Sequence, residues 1–309
     1  MRIAGVQAAP VFMDRKGTIG KVLAGLDAAA AGGAQVVAFP ETFVPGYPRW
    51  VDITDVAKWE AEDQKAAFSL YLDNAVDVAG SEFTEVVDAV RDLGLFAFVG
   101  IAERSPSGGS VFCSLVAIDP EQGIVGVHRK LKPTFGERLV WADGDGHGLR
   151  AHDYKGWRLG GLNCWENWMP LARTAMYAQG VQLHVAVWPG SSALTRDISR
   201  FIAREGRTYV LSVGGLLRAE QIPADFPLRE EMLADASDNL SNGGTVIVGP
   251  DGHTIEGPVE DEEMIVFADI DLDQVRQERQ NFDPTGHYSR PDVLRLNVNR
   301  TRRITAEFE

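Results

Sequence analysis

Short apolar runs separated by amphipathic stretches that stop at glycine recur along this chain, and that alternation restricts it to folds in which helices cover β-sheets. Residues 2–8 read as a strand. Ile19, Val22, Leu23, Leu26 and Ala30 then recur at helical spacing until Gly32 and Gly33 stop them, and Val36-Val37-Ala38-Phe39 follows as a buried strand. The unit repeats with Ser81 as N-cap, Phe83, Val86, Val87 and Val90 on one helix face, Gly94 as terminator and 95–101 as the next strand. Residues 111–118 and 124–128, joined by Asp119-Pro120-Glu121-Gln122-Gly123, form an antiparallel hairpin, so the sheet is mixed. Strands at 159–163 and 183–187 flank a helix that starts at Pro170 and ends at Gly180. Thr195 is expected to cap a helix reaching about Tyr209, ahead of a strand over 210–217. The segment 218–242, with Pro223 and Pro227, reads as a surface excursion or lid. Late strands at 245–248 and 264–269 flank the turn Pro250-Asp251-Gly252, and a short helix runs from Leu272 to about Gln280. No internal repeat and no domain boundary interrupts residues 1–309, which are expected to form one mixed α/β domain. The polar tail 281–309 is expected to wrap a neighbouring subunit.

Charge narrows the function classes. Thirty basic side chains face 44 acidic ones, a net charge of −14, which repels phosphate backbones and anionic lipid surfaces alike. Nucleic acid and membranes are therefore poor partners. No apolar run approaches the length of a membrane span, and the strand pattern begins at residue 2 without a targeting segment, which predicts a cytoplasmic protein. The only cysteines, Cys113 and Cys164, sit in unlike settings, so no disulfide framework is expected.

Cys164 ends the strand Arg158-Leu159-Gly160-Gly161-Leu162-Asn163 and precedes Trp165-Glu166-Asn167-Trp168-Met169-Pro170, the place of a nucleophile elbow. There, unpaired backbone N–H groups of a following helix can stabilise a thiolate and a developing oxyanion. Cys113, inside Val111-Phe112-Cys113-Ser114-Leu115, reads as a small buried hydrophobe. Glu41 follows directly on a buried strand in Phe39-Pro40-Glu41-Thr42-Phe43, where a carboxylate can serve as a base or merely as a turn residue. His128-Arg129-Lys130-Leu131-Lys132 closes the hairpin with cations that on their own suggest a solvated edge, and spacing does not separate Lys130 from Lys132.

Taken together and in this order, the three segments resemble the carbon-nitrogen hydrolase, or nitrilase, superfamily over essentially the whole chain. The resemblance implies a Glu-Lys-Cys triad of Glu41 as general base, Lys130 and the nucleophile Cys164, with Glu137 as a second glutamate that positions substrate or assists proton transfer. It also implies a four-layer αββα sandwich of two mixed sheets, a homodimer or small homo-oligomer packed through helices, and neither metal nor organic cofactor. Cys164-Trp165-Glu166-Asn167, Pro133-Thr134, Glu137-Arg138, the Pro45-Gly46-Tyr47-Pro48 loop and Gly286-His287-Tyr288-Ser289-Arg290-Pro291-Asp292 look most like the nitrilase branch. The expected substrate is accordingly a small-molecule nitrile, hydrolysed to carboxylic acid and ammonia through a thioimidate and a thioester on Cys164. An amidase or carbamoylase using the same triad is the alternative, and a non-catalytic scaffold a lesser one. Phe135-Gly136 fills a gap where many nitrilases carry histidine, a departure bearing on specificity. The chain ends soon after Arg290-Pro291-Asp292, which favours small oligomers over long spirals.

Trp165, Trp188 and Tyr47 flank the catalytic segments and are candidate pocket walls, and His287 is a candidate for supporting subunit or site geometry. Rival motifs fail locally. Asp143-Gly144-Asp145-Gly146-His147 resembles a calcium loop but has Tyr154 at its twelfth position, and Gly146-His147-Gly148 does not lead into a helix as a dinucleotide loop would. A Cys-His hydrolase would need His184, one strand away, beside the thiol.

Overall fold

The computed structural model describes residues 1–234, 239–304 and 306. Among these, thirteen strands form two sheets: β1 (Arg2–Gln7), β2 (Val36–Ala38), β3 (Phe96–Arg104), β4 (Val111–Asp119), β5 (Gly123–Arg129), β6 (His152–Tyr154), β7 (Trp157–Asn163), β8 (Leu183–Trp188), β9 (Tyr209–Gly214), β10 (Leu216–Arg218), β11 (Asn239–Val248), β12 (Thr254–Glu260) and β13 (Met264–Asp269). The helices are α1 (Arg15–Ala31), α2 (Trp50–Ile53), α3 (Glu62–Asp73), α4 (Thr84–Leu93), α5 (Pro170–Tyr177), α6 (Ser192–Gly206), α7 (Arg229–Ala234) and α8 (Leu272–Asn281).

The first sheet runs β13-β1-β2-β3-β4-β5, with β1, β2 and β3 parallel and the flanking pairs antiparallel. The second runs β10-β11-β9-β8-β7-β6, with β7, β8 and β9 parallel and β12 paired to β11. Both are mixed, because βαβ crossovers impose parallel neighbours while hairpins impose antiparallel ones. Phe96, Phe98 and Leu115 from the first sheet meet Leu159, Val185 and Leu211 from the second in an apolar layer between them. On the outer faces, Val22 and Leu26 of α1 and Val86 and Val90 of α4 pack on Val37, Val99 and Val116, while Ile198 and Ile202 of α6 pack on Ala186, Val210 and Val246. Helices, sheet, sheet, helices is the αββα sandwich that the sequence resemblance implies.

Two glycines matter to the site through close approach. A Cβ on Gly100 of β3 would lie 2.0 Å from the Pro40 carbonyl oxygen, so only glycine lets the Glu41 loop cross that strand. A Cβ on Gly161 of β7 would lie 2.7 Å from Leu115, which sets how closely the sheets approach beside Cys164.

Several elements differ from the sequence expectation. Helix α6 starts three residues before Thr195, whose hydroxyl donates back to the Ser191 carbonyl instead of capping, and it ends at Gly206. Ser81 opens a 3-10 turn ahead of α4 rather than capping it. The turn at Pro250 leads into β12, an additional strand concealed by its exposed, polar sequence, and β13 crosses to pair with β1 in the other sheet. The stretch 218–234 is more than a surface excursion, since Ile222, Phe226, Leu228 and Met232 are buried against Trp50 and Phe12. Of the rest of that predicted lid, residues 239–242 belong to strand β11, and residues 235–238 lie outside the described residues.

Candidate active site

Three chain segments deliver four ionisable groups to one buried point where the sheets meet. The first sheet supplies Glu41, just beyond β2, and Lys130, just beyond β5; the second supplies Cys164 at the end of β7. Glu137 sits in a 3-10 turn, Phe135–Leu139, opened by a reciprocal cap in which Thr134 and Glu137 bond each other's backbone N–H. One acceptor atom each of Glu41, Glu137 and Cys164 lies within 4.8 Å of the other two. Lys130 Nζ donates to Glu41 Oε1 at 2.9 Å and to Glu137 Oε2 at 2.7 Å, so its ammonium provides the positive charge between the carboxylates. Tyr47 Oη lies 3.0 Å from Glu137 Oε1. Lys132, by contrast, is half exposed and pairs with Asp143, which separates the two lysines that spacing left open. The hairpin end is no solvated edge, for His128, Arg129 and Lys130 are all buried.

Cys164 adopts φ +46°, a left-handed conformation that costs a non-glycine residue on the order of 1–3 kcal/mol and persists only where the surroundings hold it. The holding contacts are explicit. Glu166 and Asn163 form a second reciprocal cap around the elbow, and Asn167 Nδ2 donates to the carbonyls of Leu162 and Cys164. The thiol stands at the start of the 3-10 turn Cys164–Trp168, rather than at α5, and its sulfur accepts the Trp165 N–H. Burial, and then the Glu41 charge, push the Cys164 thiol well above its ordinary range, whereas Lys130 pulls it down. The net shift favours the neutral thiol at Cys164 over the thiolate that its position beside backbone N–H groups suggests. Burial likewise raises the Glu41 carboxyl to about 7, against the downward pull of Lys130. A carboxylate of that basicity beside a neutral thiol is matched to proton abstraction near neutrality. Burial by itself would lower Lys130, yet the charges of Cys164 when ionised, of Glu41 and of Glu137 raise it overall.

The remaining predicted residues take other places. Trp188 is buried, donates to Ser212 Oγ at 2.8 Å and packs in the same cluster as Cys164. The Trp165 indole is half exposed and stacks on Trp168 at 5.7 Å. His287 is exposed, with its ring against Tyr288. His184 bonds Asn167 Oδ1 at 2.7 Å, and burial lowers it to about 4, so it supports the elbow as a neutral ring.

Sequence reasoning passed over the residues that join the two halves. Glu166 bonds His128 at 2.8 Å and the N–H groups of Leu131 and Asn163, tying the lysine-bearing segment of one sheet to the elbow of the other. Its signal was present, since Asn163-Cys164-Trp165-Glu166 has the spacing of a capping box. Cys113 lies 3.2 Å from Glu41 Oε1, and nothing local in the sequence marks it.

The profile of the family described as "Carbon-nitrogen hydrolase" matches residues 2–280. This chain belongs to the carbon-nitrogen hydrolase family. An aliphatic nitrilase of Rhodococcus rhodochrous is 37% identical over 96% of this chain and 82% of its own length. Nitrilase 1 of Arabidopsis thaliana is 35% identical over 100% of this chain and 89% of its own. Among solved structures, a carbon-nitrogen hydrolase superfamily protein of Xanthomonas campestris aligns with a TM-score of 0.69 at 19% identity, covering 92% of this chain and 96% of that one. In this member of the family, the three segments that carry the resemblance are those that meet in the buried cluster.

Proposed function

We propose that this protein is a nitrilase, hydrolysing an organic nitrile to the carboxylic acid and ammonia through covalent intermediates on Cys164. The observation that carries the reading is the meeting of a neutral thiol, a carboxylate raised to about 7 and a buried ammonium, in a chain whose relatives are named nitrilases along nearly its whole length. Glu41 takes the thiol proton as sulfur bonds the nitrile carbon. The displaced π pair moves to nitrogen, which receives the proton from Glu41, giving a thioimidate. Lys130 Nζ and the Trp165 N–H stabilise the charge that develops on nitrogen. Water, deprotonated by Glu41, adds to the thioimidate, ammonia leaves, and a second water cleaves the thioester and restores the thiol. Glu137 orients Lys130 and the substrate, Tyr47 and Trp165 border the nitrile, and Trp188 backs the nucleophile.

We read the whole chain as one catalytic domain acting as a homodimer or small homo-oligomer. Exposed Trp168, Met169, Leu171, Leu194 and Phe201 around α5 and α6 support a helical interface, and exposed Val293, Leu294 and Leu296 support contact between the tail and a neighbouring subunit. Two free buried thiols suit a reducing, cytoplasmic setting, and the net negative charge disfavours nucleic acid and membranes as partners. The test is ammonia and carboxylate release from a panel of nitriles and amides by native protein and by Cys164→Ala. Nitrile turnover that vanishes in the variant is expected. Release from amides alone would make it an amidase with the same triad.

A further inference from the structure

Cys113, which the mechanism above leaves unused, touches two members of the triad. It lies on β4 opposite Ala102 of β3, its carbonyl accepts the Lys130 N–H at 2.8 Å, and its thiol lies 3.2 Å from Glu41 Oε1. Oε1 therefore has two donors, this thiol and Lys130 Nζ, while Oε2 is buried without a hydrogen-bond partner among the described residues. An orphaned carboxylate oxygen in the interior is costly unless it has work to do. A carboxylate bound through one oxygen by one donor can turn about its terminal bond, a broad, soft torsion. Two donors, one on β4 and one just beyond β5, fix its plane and leave only Oε2 with open lone pairs.

We propose that Cys113 is a positioning residue that, together with Lys130, pins Oε1 of Glu41 so that Oε2 is the oxygen that receives the Cys164 proton. The inference rests on the Glu-Lys-Cys reading of the preceding subsection. In that step the Cys164 S–H bond breaks, its electron pair forms the S–C bond, and the proton passes to Oε2; Cys113 keeps its own proton throughout. Burial first, and then the neighbouring Glu41 charge, push the Cys113 thiol well above its ordinary range, which keeps it a donor instead of a second nucleophile.

The test compares Cys113→Ala, which removes the donor, with Cys113→Ser, which keeps one, by kcat, KM and the pH profile of kcat/KM on whichever nitrile or amide the native protein turns over. In the alanine variant kcat is expected to fall roughly 10- to 100-fold with KM within about twofold, and the acid limb to move up by about half a pH unit, because a carboxylate that loses a donor binds its proton more tightly. Serine is expected to recover most of the loss and to return the limb. Native kcat and limb in the alanine variant, or equal losses in both variants with an unmoved limb, would overturn the proposal, since the side chain would then only fill space. The pH dependence of Cys164 alkylation by iodoacetamide, located by mass spectrometry with Cys164→Ala as blank, reads the same proton transfer without turnover. A native protein inert toward nitriles and amides sinks the functional reading by itself. The alkylation limb still decides the role of Cys113, a shift in the alanine variant supporting it and no shift overturning it.

Discussion

Two buried cation–carboxylate clusters grow from adjacent residues at the end of β5, and only one is chemically open. Arg129 donates to both oxygens of Glu103, Ser114 donates to the same carboxylate at 2.6 Å, and the guanidinium lies 3.9 Å above the Phe112 ring. None of the buried polar atoms of Arg129, Glu103 and Ser114 lacks a partner. One residue on, Lys130 joins Glu41 and Glu137, yet Glu41 Oε2 has no hydrogen-bond partner among the described residues. Both clusters are buried, and the second holds two carboxylates against one in the first; the difference that opens it to chemistry is the unfilled acceptor. A satisfied pair fixes a strand end, and an unsatisfied one can take a proton. The planar guanidinium suits the first task because it grips a carboxylate through two bonds, and the compact ammonium suits the second because it bridges two acids and leaves an oxygen over.

The largest effect that tests this contrast is on turnover. Lys130→Ala should lower kcat for ammonia release by roughly 10³-fold, the loss typical of removing a donor to developing negative charge, and a rate within tenfold of native would take Lys130 out of the mechanism. Next comes stability at the closed cluster. Glu103→Leu should cost about 3–5 kcal/mol in urea unfolding by leaving Arg129 buried and unpaired, with kcat changed only a few-fold, and Arg129→Met in the same protein should recover much of that cost. If the single variant also abolishes turnover, the two clusters are not separate in function.

The pH profile gives a smaller, graded effect. With Glu41 as the proposed base and its carboxyl raised to about 7, kcat/KM should be full above that pH and fall about tenfold per unit below it. An acid limb below pH 5.5 would show that Lys130 outweighs burial in setting this base. A fourth expectation extends the contrast to the second sheet, where His184 is lowered from 6.5 to about 4 by burial and then by Arg173. A lowered folded-state value means that its contribution to stability is present above about pH 6.5 and lost as pH falls toward 4, by up to about 3 kcal/mol. His184→Gln should flatten that part of the unfolding free-energy profile, and an unchanged slope would place the acid sensitivity elsewhere.

Much of this was legible in one dimension because the signals are local. Gly94 stops α4 in the left-handed conformation that glycine adopts freely, and Pro170 opens α5, as their positions predict. Glu41, Lys130 and Cys164 stand at strand ends in the order the family resemblance requires, and the fold brings them together. Strand β12 escaped because it pairs along one edge only and exposes most of its side chains, so apolar alternation never develops. Helices α2 and α3 escaped for a different reason, since Trp50 and Tyr71 are buried against Phe226 and Trp141 from distant parts of the chain. Cys113 and the bond from Glu166 to His128 are contacts across 72 and 38 residues, and no periodicity encodes such pairings.

Because Glu41 and Lys130 ride on one sheet and Cys164 on the other, the distance from sulfur to carboxylate belongs to neither half. It is a registry between two plates, held at the seam by Glu166. A slip far too small to unwind a helix or unzip a strand would already part sulfur from carboxylate. Ammonia release is therefore a ruler laid across the apolar interior, and on gentle heating or compression it should fade while the far-ultraviolet spectrum is still that of the native protein.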